Sequence, residues 1–99
     1  MKRVIKSNYG DIIVANIKSI LSQDGIDILG IDCIYDWSKN SEDDCICVVV
    51  MIKGDWKADH LRADALISDA LECDDWNTSQ VGEASSDSFK AKHTYTWYK

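Results

Sequence analysis

Cysteine and histidine are the residues whose chemistry could build a metal or redox site in this chain. Cys45 and Cys47 stand one residue apart in its most apolar run, CICVVVMIKG, and Cys33 lies on the segment before it. Three thiolates with His60 or His93 as a fourth ligand would suit zinc. Short zinc motifs usually hold their cysteines in a loop, whereas a cysteine in a valine-rich strand packs as a small apolar side chain. We therefore expect core packing for these cysteines, with no metal and no cofactor.

His60 is the residue with the best geometry for acid–base catalysis. It precedes Asp64 by four residues, so a helix would place the two on one face, where the carboxylate could orient the imidazole. The sequence places no nucleophile nearby and has no phosphate loop, nucleophile elbow or HExxH motif. A surface histidine near a helix start is the simpler interpretation of His60, while His93 alternates with aromatic residues and is expected in or beside the core. We expect no catalytic residue and no enzymatic activity.

Two helices are predicted from the spacing of apolar residues. The first covers residues 8–24, where Asn8 can cap the start and Gly25 follows the end. The second covers residues 56–72, after a possible cap at Asp55. Both segments repeat their apolar side chains at the interval of one helical face, which predicts that each helix packs on a sheet.

Three strands are predicted from alternation and from β-branched or aromatic content. Residues 26–37 and 45–53 read as an antiparallel hairpin joined by a polar turn at 38–44, and residues 89–98 read as the last strand. Residues 73–88 are predicted to form a loop, and residues 3–6 a short first strand. The expected fold is a single α+β domain over residues 1–99, either ferredoxin-like β-α-β-β-α-β or α-β-β-α-β, with an antiparallel sheet and both helices on one face.

The register of the hairpin decides which sheet face is the core. A turn around Asn40 puts Cys33 opposite Cys47, so that the cysteine side of the second strand faces the helices, and a slip of one residue reverses this. The first register leaves an apolar patch outside, which we predict to bind a protein partner or a second copy of the chain, unless residues 73–88 fold over it. The predicted binding residues are Ile34, Ile46, Val48, Val50 and Ile52, bordered by Asp32, Asp36, Lys90 and Lys92.

Charge is segregated along the chain, whose net charge is −6. All 17 acidic residues lie between Asp11 and Asp87 with only five basic ones, which gives that region −12, while the two ends carry +6. The basic and aromatic last strand resembles a surface that binds single-stranded nucleic acid, and this is the alternative function we consider. Its candidate contacts are Lys90, Lys92 and Lys99 for phosphates and Tyr95, Trp97 and Tyr98 for bases.

Composition narrows the class of protein without naming a function. With 45% hydrophobic and 28% charged residues the chain is typical of globular proteins, and it has neither the pattern of a secretory signal nor an apolar run long enough to cross a membrane. We therefore expect a cytosolic protein that makes no membrane contact. Its small size and acidity favour an inhibitor, adaptor or regulator that binds another macromolecule, of the kind that phages and mobile elements encode.

Overall fold

The structure is a computed structural model that describes residues 9–36, 45–82 and 88–98. The predicted strand 3–6, the predicted cap Asn8 and the whole predicted turn at 38–44 lie outside the described residues. The fold is α+β, with a four-stranded antiparallel sheet and two helices. Its elements are α1 (Tyr9–Gln23), β1 (Asp27–Tyr35), β2 (Cys45–Gly54), a π-helical segment (Trp56–Leu61), α2 (Arg62–Leu71), β3 (Asp75–Val81) and β4 (Phe89–Tyr98).

Helix α1 confirms the prediction from apolar spacing. Ile13, Ile17 and Leu21 lie one turn apart and are buried in the core. The helix ends at Gln23, and Gly25 follows it with a φ of 75°, the left-handed conformation that glycine adopts without strain. The backbone N–H of Ile26 donates to the carbonyl of Leu21 at 3.0 Å, so the chain reverses into β1 with its last helical carbonyls partly satisfied.

The second helical stretch starts at the predicted cap but does not begin as an α-helix. The carboxylate of Asp55 accepts from the backbone N–H groups of Lys57 and Ala58 at 3.0 and 2.7 Å. The carbonyl of Asp55 accepts from the N–H of His60, five residues on, which is the π-helical spacing. The stretch continues as α2 to Leu71, and the capping residue Glu72 has a φ of 49°.

The order of strands in the sheet is β1-β2-β4-β3, with every neighbouring pair antiparallel. The ferredoxin-like prediction is not confirmed, because β4 pairs directly with β2 along its whole length, in the place that a ferredoxin-like sheet gives to the first strand. The predicted loop 73–88 is wrong in part, since Asp75–Val81 forms the edge strand β3 against β4. The described elements therefore form two α-β-β halves, α1-β1-β2 and α2-β3-β4, whose second strands meet at the sheet centre.

The observed register of β1 and β2 is the slipped one. Cys33 pairs with Val48, and Tyr35 pairs with Cys47 after an irregularity in β1. The predicted exposure of part of the binding patch is therefore wrong: each of four residues in it is 0% exposed and packs against the helices, namely Ile46, Val48, Val50 and Ile52. Burial of these four branched side chains outweighs burial of the opposite set, in which Cys45 and Cys47 are smaller, and this difference explains the choice of register.

The core lies between one face of the sheet and the two helices. Side chains from α1 and α2 pack against the inner side chains of β2 and β4. Trp97 of β4 also donates from its indole Nε1 to the carbonyl of Leu71, the last residue of α2, at 2.7 Å. Among the described residues, no helix is long and apolar enough to cross a membrane.

Candidate functional site

The outer face of the sheet carries a line of apolar side chains on its central strand β2. Because strand residues alternate between faces, the burial of the even-numbered residues of β2 turns the odd-numbered ones outward. These are Cys45, Cys47, Val49 and Met51, and each is partly exposed. Both described helices pack on the opposite face. We call the outer side chains of the four strands the open sheet face.

One end of the open sheet face is basic. Lys53 on β2 lies directly opposite Lys90 on β4, and Lys92 lies opposite Met51 in the next row. Asp27 of β1 faces Lys53 from the other side. Two lysines directly opposite each other repel, so this end of the face favours an anionic or acidic neighbour.

The predicted nucleic-acid contacts of β4 are divided between the two faces. Tyr95 is 0% and Trp97 1% exposed on the inner face, so neither is available to stack on a base. Tyr98 is 52% exposed on the outer face with Lys90 and Lys92, and Tyr35 of β1 is 61% exposed on the same face. Lys99 lies outside the described residues.

The remaining predicted binding residues stay at the surface but not as one patch. Asp32 pairs with Val49 on the open sheet face, and Ile34 is 54% exposed. Asp36 instead accepts from the backbone N–H of Gly10 at 3.0 Å and so ties β1 to the start of α1. The predicted patch is thus split between the core, the outer face and a helix cap.

A second constellation is a hydrogen-bonded chain of titratable side chains inside the molecule. Nδ1 of His93 lies 2.8 Å from the carboxylate Oδ1 of Asp64, and Nε2 of His93 lies 2.8 Å from Nδ1 of His60. Nε2 of His60 lies 3.0 Å from the carbonyl oxygen of Phe89. Both histidines are fully buried. We call this the Asp64–His93–His60 chain.

Local structure explains how these residues meet. His93 and Tyr95 alternate onto the inner face of β4, and Thr78 of β3 is the direct cross-strand neighbour of His93. Asp64 lies in the first turn of α2, one turn before the core residue Ile67. The π-helical segment places His60 at one end of the hydrogen-bonded chain, beside Phe89. The ring of Phe89 stacks on the imidazole of His60 with centroids 4.6 Å apart.

Asp64 accepts three hydrogen bonds from side chains. Besides His93, the hydroxyl of Tyr95 donates to its Oδ1 at 2.8 Å and the hydroxyl of Thr78 donates to its Oδ2 at 2.6 Å. Burial opposes ionisation of Asp64, but the hydrogen bonds from His93, Thr78 and Tyr95 outweigh it and hold the pKa of the carboxyl below its ordinary value of 3.8. Burial first, and then the charge of Asp64, raises the pKa of Tyr95 far above its ordinary value. Asp64 is therefore an anion, and Tyr95 remains a donor.

Asp64 also lies at the wall of a surface groove of about 520 Å³. The groove runs between α2 and β3 and is lined by the acidic Asp69 and Glu72 and by Leu61 and Trp76, which are 43% and 49% exposed. Its chemistry would suit a cation beside an aromatic ring.

The cysteines have no metal-binding arrangement. All four lie in the described part of the chain, and each carries a thiol rather than a disulfide. Burial, and then nearby carboxylates led by Asp36, raise the pKa of Cys33 to about 11. Within the described residues, no group of three or more His, Cys, Asp or Glu side chains could hold a metal ion. The predicted packing of Cys45 and Cys47 in the core is wrong, because the slipped register places them on the open sheet face.

The favoured prediction of a surface position for His60 is wrong, and so is the alternative in which His60 pairs with Asp64. The π-helical segment moves His60 off the face that an α-helix would give it, and His93 takes its place beside Asp64. The buried position predicted for His93 is confirmed. Asp64 was not singled out as a core residue, although a carboxylate three residues before Ile67 and seven before Leu71 stands on the apolar face of a helix and needs buried donors.

Comparison of the chain with protein-family models, curated proteins and solved structures finds no match.

Proposed function

We propose that this protein acts by binding another macromolecule through its open sheet face, as an inhibitor, adaptor or regulator, and that it has no catalytic site. The observation that carries the proposal is the apolar outer side of the central strand β2. Cys47, Val49 and Met51 face outward there while both described helices cover the other side. A contiguous apolar strip on a surface marks an interaction site more often than an isolated apolar residue does.

Charge supports a protein partner with an apolar centre and an acidic edge. Lys53, Lys90 and Lys92 cluster at one end of the face, and Lys53 and Lys90 oppose each other across the ladder. An acidic edge would relieve that repulsion and fix the orientation of the partner on the apolar strip. A cytosolic partner suits four thiols, which stay reduced in that compartment.

The proposal is tested with the partner that co-purifies from the native host, once that partner has been identified and purified by itself. Isothermal titration compares wild type with Val49→Lys, in the middle of the apolar strip, and with Ser22→Lys, an exposed residue of α1, as the matched control. We expect Val49→Lys to weaken binding at least tenfold and Ser22→Lys to leave it unchanged. Equal binding by all three proteins would contradict the proposed site.

Sedimentation equilibrium of the purified chain separates one special case. A wild-type dimer that Val49→Lys converts to monomer would identify a second copy as the occupant of the face. If the wild-type chain is monomeric at all concentrations, the open sheet face binds a different protein.

A second candidate function is binding of single-stranded nucleic acid by the same face. Tyr35 and Tyr98 are exposed there together with Lys90 and Lys92, which is the combination of stacking rings and cations that such sites use. A filter-binding titration of a mixed-sequence 20-nucleotide single strand at increasing salt tests it. Affinity that falls steeply with salt and is lost in Tyr98→Ala would support this function, and no binding at low salt removes it.

A further inference from the structure

The Asp64–His93–His60 chain runs between two hydrogen-bond acceptors. At one end is the Asp64 carboxylate and at the other is the backbone carbonyl of Phe89, which has no proton to give. Between them lie three contacts of 2.8, 2.8 and 3.0 Å. These distances are typical of hydrogen bonds, so each contact needs one proton between its two heavy atoms.

Counting protons gives the charge of the chain. Three contacts need three protons, and two neutral imidazoles supply only two, because each neutral ring carries one N–H. The count holds whichever ring has the additional proton, and Asp64 stays an acceptor because it is ionised. With only two protons, one contact would bring two lone pairs face to face inside the protein, which costs about as much as leaving a buried polar group unsatisfied.

We propose that the folded protein holds one proton more on this chain than two neutral histidines carry, which makes the chain a pH-sensitive latch between the helical layer and the sheet. The latch joins the π-helical segment and α2 to β4, because His60 and Asp64 come from the helical side and His93 and Phe89 from the strand. This inference is independent of the open sheet face. It stands on distances and burial alone.

The groups around the latch favour retention of the proton. Asp64 from α2 supplies the neutralising negative charge, and Thr78 from β3 and Tyr95 from β4 both donate to it rather than accept from it. Cys73 stands near Tyr95, and burial raises the pKa of its thiol, so it adds no charge near neutral pH. Asp59 accepts from the backbone N–H of Asp55 at 2.8 Å, and on β2 the ladder neighbour of His93 is the apolar Val50.

Folding linked to uptake of a proton becomes less favourable as pH rises. In the unfolded chain, histidines are largely neutral above about pH 6.5, whereas the three hydrogen bonds of the folded latch require the additional proton there as well. The sign follows from linkage: the native state binds more protons than the unfolded state, so the free energy of unfolding decreases with increasing pH. Cys33 titrates at a pKa of about 11, so it does not contribute near neutral pH.

Two measurements on the intact chain test the latch. Long-range ¹H–¹⁵N spectra of the imidazole rings in wild type at pH 7 count the protonated nitrogens directly. We expect three of the four ring nitrogens of His60 and His93 to carry a proton or to share one in fast exchange. Two protonated nitrogens would overturn the proposal, and this measurement requires no variant to fold.

The second measurement is urea unfolding between pH 6.5 and 8, with His60→Gln as the comparison. We expect the unfolding constant of wild type to rise by up to about tenfold per pH unit, as for the loss of one bound proton. The His60→Gln variant has an amide in place of the imidazole, which removes one ring of the latch, and should lack this slope. A flat wild-type profile, or the same slope in both proteins, would also overturn the latch.

Discussion

Nδ1 of His60 and Nε2 of His93 lie 2.8 Å apart although the two residues are 33 positions apart in the chain. Their ring planes are within 12° of parallel, and the contact is fully buried. It links the π-helical segment to β4, and through Nδ1 of His93 the link continues to Asp64 on α2. Polar groups at this depth are expected to contribute strongly to stability when all are paired and to cost heavily when one is removed.

Asp64→Asn is expected to destabilise the protein by about 3 kcal/mol at pH 7, because an amide cannot accept from His93, Tyr95 and Thr78 as a carboxylate does. The folded pKa of Asp64 is lowered from 3.8, so its stabilising effect is present above that value and is lost as pH falls below it. Urea unfolding followed by tryptophan fluorescence should therefore show the difference between wild type and variant shrinking below about pH 4.

Asp69→Asn is the matched control for that variant, since Asp69 lies on the same helix but is exposed. It should change the free energy of unfolding by about 0.5 kcal/mol or less. A difference between wild type and Asp64→Asn that stays constant from pH 7 to pH 3 would contradict the assignment of an ionised, hydrogen-bonded Asp64.

Tyr95→Phe should cost about 1 to 3 kcal/mol, because it removes only the hydroxyl that donates to Asp64 and keeps the buried ring. Tyr35→Phe, at a residue 61% exposed, should change stability by about 0.5 kcal/mol or less. Combined with Asp64→Asn, Tyr95→Phe should cost less than it does alone, since the acceptor of its hydroxyl has already changed. Fully additive losses in thermal or urea unfolding would count against a shared network.

Much of the helical layer could be predicted from sequence because its signals are local. The apolar spacing of α1, the glycine at its end and the capping carboxylate of Asp55 all act within a few residues. The π-helical spacing could not be predicted in this way, because it depends on the contacts that His60 makes with Phe89 and His93 across the fold. The partners of Asp64 were missed for a related reason. Thr78 belongs to an edge strand whose polar sequence, DWNTSQV, gives little strand signal by itself.

Ile52→Ala and Met51→Ala together test the register of β2. Ile52 is 0% exposed in the core, so its truncation should cost about 2 to 5 kcal/mol. Met51 is partly exposed on the open sheet face, and its truncation should cost about 1 kcal/mol. Urea unfolding of the two variants should rank them in this order. The reverse order would restore the register in which the cysteine side of β2 is the core.

That register was the part of the fold that sequence alone left undecided. Both faces of β2 are apolar, with isoleucine and valine on one side and Cys47, Val49 and Met51 on the other, so alternation gives no contrast. The irregularities in β1, after Ile28 and after Cys33, also shift its side chains between faces. Only the packing of the whole helical layer selects the larger branched residues for the core.

Gly54→Ala should destabilise the protein by about 1 to 3 kcal/mol, because a methyl group there would lie 2.5 Å from Cβ and Cγ of Asp59. That carboxylate holds the start of the π-helical segment by accepting from the N–H of Asp55 at 2.8 Å. Gly30→Ala is the control, since nothing lies within 4 Å of its added methyl group. Thermal unfolding should show a loss for the first variant only, and equal midpoints would mean that Asp59 does not hold this position.

The rate at which Cys47 is alkylated tests the open sheet face most directly, because its thiol lies on that face and reports occupancy without any substitution. Cys33 is an internal reference on the inner face, where its thiol donates to the carbonyl of Tyr35 and where burial raises its pKa to about 11. Mass spectrometry of each cysteine peptide measures the rate of labelling with and without a saturating concentration of the purified partner. We predict that the partner slows labelling of Cys47 at least tenfold and leaves the rate at Cys33 unchanged. An unchanged rate at Cys47 under saturation would contradict binding through the open sheet face.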